Sequence, residues 1–299
     1  MRGREPVRIA ARSGELAQYQ TRWVAERLTA LGHPCVLIDV AMPSDPTASG
    51  TWRGVGVLVT SPQAAVRENR ADLAVRPFDE LPVTPAEGLQ VAAVPERAAA
   101  HDLLLLRPEA FDPTAGVLPV VGGARIGVNA AHRTSQLHAL RPDLRLAAVH
   151  GGTATRVAAL RTAHGHLGGV VVAAVAVDGL GLDLEGLRRV DIDPTVLLPA
   201  PGQGALALEV RRGDLLAEVL QGLHDERTFV AVAAERTLLG LLPNARQPDL
   251  AAHGVRLPGG FVSLAAWLDG RRARVRAGGS DEAAMHAYDQ LGRPRRSMG

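Results

Sequence analysis

The chain has no lysine: all 33 of its Lys+Arg residues are arginine, set against 31 Asp+Glu for a formal net charge of +2 over 299 residues. Apart from the N-terminus there is no amine for a Schiff base or for a phosphate-cradling Walker motif, which excludes pyridoxal-phosphate enzymes and P-loop NTPases. Cysteine occurs once, at Cys35. An internal disulfide, a CxxC redox pair and a structural zinc ribbon each need a second thiol, so all three drop out and a reducing cytoplasm is the expected compartment. Aromatic residues make up 3% of the chain, too few for the stacking platforms of a single-strand binder. The small net charge does not announce a duplex binder either. No uninterrupted apolar run reaches membrane-span length, and the start of the chain lacks an apolar leader segment. Neither nucleic acid nor membrane is an expected partner.

What is present suits a folded protein of two or three domains, with 46% hydrophobic residues to build cores. Val7–Ala10 reads as a strand, Glu15–Leu31 as a helix with Leu16, Tyr19, Trp23, Val24 and Leu28 on one face, and Cys35–Val40 as a second strand. This βαβ opening predicts a parallel sheet covered by helices. An apolar segment at Gly54–Val59, a helix at Ala64–Asn69 and a strand at Ala71–Val75 complete the first block. The second block has strands at Leu103–Leu106, Arg125–Val128 and Val170–Val175, separated by helices at Ala131–Leu140 and Thr155–His164. Val196–Val210 is expected to return to the first sheet. A helix at Glu226–Leu242, a hairpin of Phe261–Leu268 and Arg271–Arg276 on an Asp269-Gly270 type I′ turn, and a helix at Asp281–Leu291 end the chain.

In open α/β sheets ligands bind beyond the carboxyl ends of the strands, so the strand-to-helix junctions hold the candidates. Arg12 ends the first strand where an anionic group would sit. Asp79 and Glu80 place adjacent carboxylates at a turn, and paired acids can supply a general acid. His132 and Arg133 open one helix of the second block, and His150 and Arg156 flank the start of another. His164-Gly-His166 reads as a helix C-cap; no third ligand accompanies it, so no metal is expected.

Six segments resemble the hydroxymethylbilane synthase family, also called porphobilinogen deaminase, in order and spacing. They are Arg8-Ile-Ala-Ala-Arg12, Glu68-Asn-Arg-Ala-Asp-Leu-Ala-Val75, Leu140-Arg-Pro-Asp-Leu144, Thr155-Arg156, Leu198-Pro-Ala-Pro-Gly-Gln-Gly-Ala205 and Ala234-Glu-Arg236. The resemblance implies an α/β fold of three domains. The first two are similar to type II periplasmic binding proteins with an interdomain cleft, and the third is a small α+β domain with a short antiparallel sheet. The boundaries implied are 1–97 with 196–216, 98–195, and 217–299.

The family builds a linear tetrapyrrole from porphobilinogen on a dipyrromethane primer, held by a thioether to a cysteine of the third domain. That cysteine position falls on Arg246, and Cys35 lies in a predicted strand far from it in sequence. No dipyrromethane is therefore expected. The catalytic aspartate falls on Glu80 and the lysine before it on Asp79; two further lysines fall on Thr51 and Val55. Of the family's cations in the second domain, Arg133 and Arg156 are kept, while two others become His132 and His150 and another falls near Gly179 beside Asp178. Since a charge-assisted bond to a carboxylate contributes roughly 1.5–3 kcal/mol, these exchanges imply a ligand smaller or less acidic than a growing polypyrrole.

Three readings follow. The first is a divergent enzyme acting on a small carboxylated, pyrrole-like molecule without a covalent primer, with Arg12, Arg133 and Arg156 as anion clamps and Glu80 as general acid/base. The second is a non-catalytic binding module, since binding needs only complementarity. The third is a hydroxymethylbilane synthase that holds its primer in another way.

Overall fold

The computed structural model describes residues 5–40, 61–162 and 166–293. The apolar segment at 54–59 and the positions Thr51 and Val55 lie outside them, as does most of the His164-Gly-His166 stretch. In chain order the first elements are β1 (Val7–Arg12), α1 (Glu15–Ala30), β2 (Cys35–Val40), α2 (Ser61–Arg67), β3 (Leu73–Pro77) and β4 (Leu89–Ala93). Next come β5 (Asp102–Leu106), β6 (Arg125–Val128), α3 (Ala131–Leu140), β7 (Arg145–Ala148), α4 (Thr153–Ala159), β8 (Gly169–Ala173), α5 (Ala174–Leu180) and β9 (Arg188–Ile192). The chain closes with β10 (Leu206–Arg211), α6 (Leu216–Leu220), α7 (Glu226–Leu241), β11 (Ala251–Arg256), β12 (Val262–Leu268), β13 (Arg271–Ala277) and α8 (Ser280–Gln290).

Two compact units result, Met1–Ala98 with Gly204–Val230 and Ala99–Gln203 with Ala231–Gly299. The first contains one five-stranded sheet, ordered β2-β1-β3-β10-β4, in which β10 alone runs antiparallel to its neighbours. The second contains a sheet of the same design, β7-β6-β8-β5-β9, with β5 as the antiparallel strand. A third, three-stranded antiparallel sheet, β11-β12-β13, belongs to the same unit. The expected α/β class, with two similar sheets and a small α+β part, is what the chain adopts.

Burial explains the central strands. Leu103, Leu104, Leu105 and Leu106 of β5 are almost completely covered, as are Val170, Val171 and Val172 beside them. Each such side chain contributes roughly 1.5–3 kcal/mol on leaving water, enough to hold a strand whose two faces both carry apolar residues. Helix α1 buries Val24, Ala25 and Leu28 on the first sheet, together with Gln20 and Thr21. Tyr19, expected on that face, is 38% exposed, so the buried stripe is rotated from the one read in the sequence. The expected strand Val170–Val175 stops at Ala173, and α5 begins at Ala174; α4 starts at Thr153 and ends at Ala159, short of His164.

The small sheet is tied to its own unit by specific contacts. Trp267 Nε1 donates to Ser135 Oγ of α3 at 3.1 Å, and Arg272 donates to the carbonyl of Thr195. The fully buried Glu235 of α7 accepts the backbone N–H groups of Gly202 and Gly254, both at 2.6 Å. Helix and strand pass so closely there that a Cβ on Gly254 would collide with the Ala231 carbonyl. The Asp269-Gly270 turn has positive φ at both residues, 52° and 76°, as a type I′ hairpin requires.

Candidate active site

In the first unit, the register that pairs Ala10 with Ala74 carries β1 and β3 in parallel to a common carboxyl edge, with Arg12 and Arg76 two residues further along each strand. The Pro77 that follows starts a 3₁₀ turn, Phe78–Glu80, which holds both predicted acids. Arg12 Nη1 and Glu80 Oε2 form an ion pair. The predicted anion clamp and the predicted general acid thus face each other; Glu80 is fixed as a positioned carboxylate 39% exposed to solvent. Asp79 is half-buried in the same turn.

Arg76, absent from the predicted site, is fully buried. Its Nη2 donates to the Glu80 carbonyl at 3.1 Å, which braces the acid's turn. Its Nε and Nη1 have no acceptor among the described residues. Burial lowers its pKa, and the carboxylates of Glu209, Glu80 and Asp79 oppose that shift. Only its place at the end of an otherwise apolar strand sets it apart in sequence.

The second unit gathers the other candidates at an equivalent edge. Because β5 is antiparallel to β8, its first residue, Asp102, lies level with Ala173 at the carboxyl end of β8. That places Asp102, fully buried, against Arg133 in the first turn of α3. Arg133 Nε and Nη2 donate to the two Asp102 oxygens, each at 2.8 Å; Nη1 donates to Asn129 Oδ1 at 2.6 Å, and Nη2 also to Gln203 Oε1 at 3.1 Å. Gln203 Nε2 returns bonds of 2.7 Å to Asp102 Oδ1 and to the Ala100 carbonyl. Arg133 is therefore largely committed to its own unit and its charge is offset by Asp102. A bidentate pair needs both members, yet a lone Asp before a leucine run carries no sequence signal.

Arg156 differs. It is 9% exposed, and its Nη2 reaches Thr153 Oγ1 at 3.3 Å while Nε and Nη1 have no acceptor among the described residues. Burial, then the nearby Arg133 charge, lowers its pKa to about 10 against the pull of Asp102. It stays a cation at neutral pH. His132 is buried beside this group, its pKa pushed down to about 3 by burial and then by Arg133, so its ring is neutral and its Nε2 lacks a partner among the described residues. The cluster carries two guanidinium charges against one carboxylate, with unmet N–H donors. Such an arrangement can accept an anionic oxygen.

The remaining candidates lie elsewhere. His150 is exposed in the loop before α4, and Asp178 pairs with Arg189. Position 246 falls in the 3₁₀ stretch Asn244–Asp249. Among the described residues no group of three or more His, Cys, Asp or Glu could hold a metal ion, and no helix is long and apolar enough to cross a membrane.

Comparison with known proteins gives this geometry a context. The family model described as porphobilinogen deaminase, dipyromethane cofactor binding domain, matches residues 7–218. The porphobilinogen deaminase of Micrococcus luteus is 38% identical over 309 residues, covering 89% of this chain and 80% of that protein. That of Deinococcus deserti is 33% identical, covering 89% and 87%. Among solved structures, a YaeC-family lipoprotein from Enterococcus faecalis aligns with a TM-score of 0.42 at 12% identity, over 76% of this chain and 94% of its own. A nutrient binding protein from Burkholderia cenocepacia bound to methionine aligns with a TM-score of 0.42 at 11% identity, over 72% and 90%.

The match corrects one expectation. Arg246 and the single thiol had pointed to the absence of a dipyrromethane, but the matched family model is that of the dipyrromethane cofactor-binding domain. The residues fit such a group in their ionic part: the N–H donors of Arg156 left unmet among the described residues suit a carboxylate of the kind that substitutes its pyrrole rings. They do not fit a thioether. Cys35 pairs with Val7 at the opposite end of β1 from Arg12, five residues or roughly 16 Å along the strand. With the family model covering most of its length and named relatives aligned over 89% of it, the chain belongs to the porphobilinogen deaminase family.

Proposed function

We propose that this protein joins porphobilinogen units into a linear oligopyrrole with release of ammonia, the reaction of its family, in place of the divergent chemistry first expected. The observation that carries the reading is the buried cation cluster of Arg156, Arg133 and Asp102, which presents unmet guanidinium donors to an acidic ligand inside the family-matched region. Arg156 takes a ring carboxylate. Arg133, locked by Asp102 and Gln203, holds the cluster in place. His132 remains an uncharged neighbour. Glu80, oriented by Arg12 and by the Arg76 brace, is the acid–base group: it stabilises positive charge on the pyrrole nitrogen as the aminomethyl carbon loses its amine as ammonia, that carbon remaining on the ring to form the new bond, and it takes up or returns the proton. A bound dipyrromethane supplies the nucleophilic pyrrole carbon to which the new unit is joined. The three-part partition at 1–97 with 196–216, 98–195 and 217–299, and a cytoplasmic location, belong to this proposal.

Purified protein incubated with porphobilinogen should consume it and release ammonia, and Glu80→Gln should slow turnover about 10²–10⁴-fold with an unchanged circular dichroism spectrum. Thermal stabilisation by porphobilinogen without any consumption would instead favour the non-catalytic binding reading. An unchanged rate in Glu80→Gln would remove the role given to that carboxylate.

A further inference from the structure

The chain matches a cofactor-binding family, yet its single thiol stands at the end of β1 opposite Arg12. A thioether needs a thiolate sulfur at the ligand. Cys35, the one cysteine of the chain, begins β2 at the edge remote from Arg12 and Arg76, and its Sγ donates to the His33 carbonyl at 3.2 Å. Burial raises its pKa, which further lowers its thiolate fraction. No lysine amine exists to serve as a substitute nucleophile. Meanwhile two buried guanidiniums, Arg156 and Arg76, carry donors that nothing among the described residues satisfies. We infer that this protein retains its oligopyrrole by ion pairs and hydrogen bonds alone, with Arg156 as the principal carboxylate receptor, so that the primer exchanges with solution. The inference rests on the function proposed above. It makes retention salt-dependent and independent of Cys35, because a partly screened ion pair weakens with ionic strength while a covalent bond does not.

The test is intact mass of the full-length protein after incubation with porphobilinogen, recorded under native and under acid-denaturing conditions, for the wild type, Cys35→Ser and Arg156→Gln. Native spectra of the wild type and Cys35→Ser should show the same ladder of pyrrole units, and denatured spectra should show only the unmodified chain. Raising salt from 50 to 500 mM should reduce native occupancy several-fold, and Arg156→Gln should reduce it at least tenfold. An adduct that survives denaturation in the wild type overturns the inference while leaving the proposed function standing, and peptide mapping would then locate the anchor. Loss of binding in Cys35→Ser alone overturns it as well. No native ladder together with no consumption of porphobilinogen overturns the proposed function, and the inference with it.

Discussion

Arg156 offers the sharpest test of the claim that its unmet donors exist for a ligand. A buried polar group without a partner costs about 1–3 kcal/mol, more when it is charged. Among the described residues Arg156 carries two such nitrogens, while its one side-chain bond, to Thr153 Oγ1 at 3.3 Å, contributes at most about 0.5–1.5 kcal/mol. Arg156→Met keeps an apolar stem of similar reach, removes the unmet donors and relieves the repulsion from Arg133. The ligand-free variant should therefore be more stable than the wild type by about 1–3 kcal/mol, which for a unit of this size raises Tm by roughly 2–12 °C. Addition of porphobilinogen should tell the opposite story. A saturating ligand at a hundred times its Kd stabilises the wild type by about 2.7 kcal/mol, and most of this should vanish in Arg156→Met. Differential scanning calorimetry with and without porphobilinogen measures both quantities. A ligand-free variant that melts below the wild type, or one that keeps the full ligand shift, would refute the reasoning, because Arg156 would then be a structural residue.

Three further outcomes are expected. Asp102→Ala leaves the buried Arg133 without its counter-charge and should cost about 3–5 kcal/mol in urea unfolding. Glu235→Gln weakens two charge-assisted bonds to the Gly202 and Gly254 amides and turns an NH₂ group towards one of them, for a loss of about 1.5–3 kcal/mol by the same measurement. His132 has a folded-state pKa of about 3, below its unfolded value near 6.5, so the stability it contributes is complete above about pH 6.5 and is lost as pH falls towards 3. The ceiling on that contribution is about 5 kcal/mol, and urea midpoints across this pH range should show a shallower acid slope in His132→Gln.

Much of the scaffold is legible in the sequence where local preference and burial agree. β2, β6 and α3 span the residues that their apolar patterning marks, and the Asp269-Gly270 pair places the hairpin turn where its positive φ values are found. The strands missed were edge or half-polar ones: β7 and β9 lie at the two edges of the second sheet, and β9, Arg188–Ile192, buries only Ile192. Their pairing comes from a neighbouring strand and leaves no alternation to read. α5 was hidden by a valine-rich run whose β propensity is overridden once the chain passes Ala173. Of the site, Arg12, Glu80, Arg133 and Arg156 stand at strand or helix ends where chemistry is sought first. Asp102, Asn129, Gln203 and Arg76 were invisible because each owes its role to a partner distant in the chain or to burial, which a lone polar residue does not signal.

The division of labour among the arginines also explains how few cations can serve an acidic ligand. A guanidinium already bound to a carboxylate of its own chain gains little from a second, since the first has met its donors and cancelled its charge. Arg133 with Asp102 and Arg12 with Glu80 are of this kind, and they set geometry. Among the described residues Arg156 has no carboxylate bound to it and keeps two unmet donors, so a ligand carboxylate brought to it gains the bond and removes the desolvation penalty that the ligand-free protein bears. On the proposed function, binding energy therefore concentrates at Arg156, and an oligopyrrole that grows by one acidic ring at a time would be held there while its remaining carboxylates stay in water.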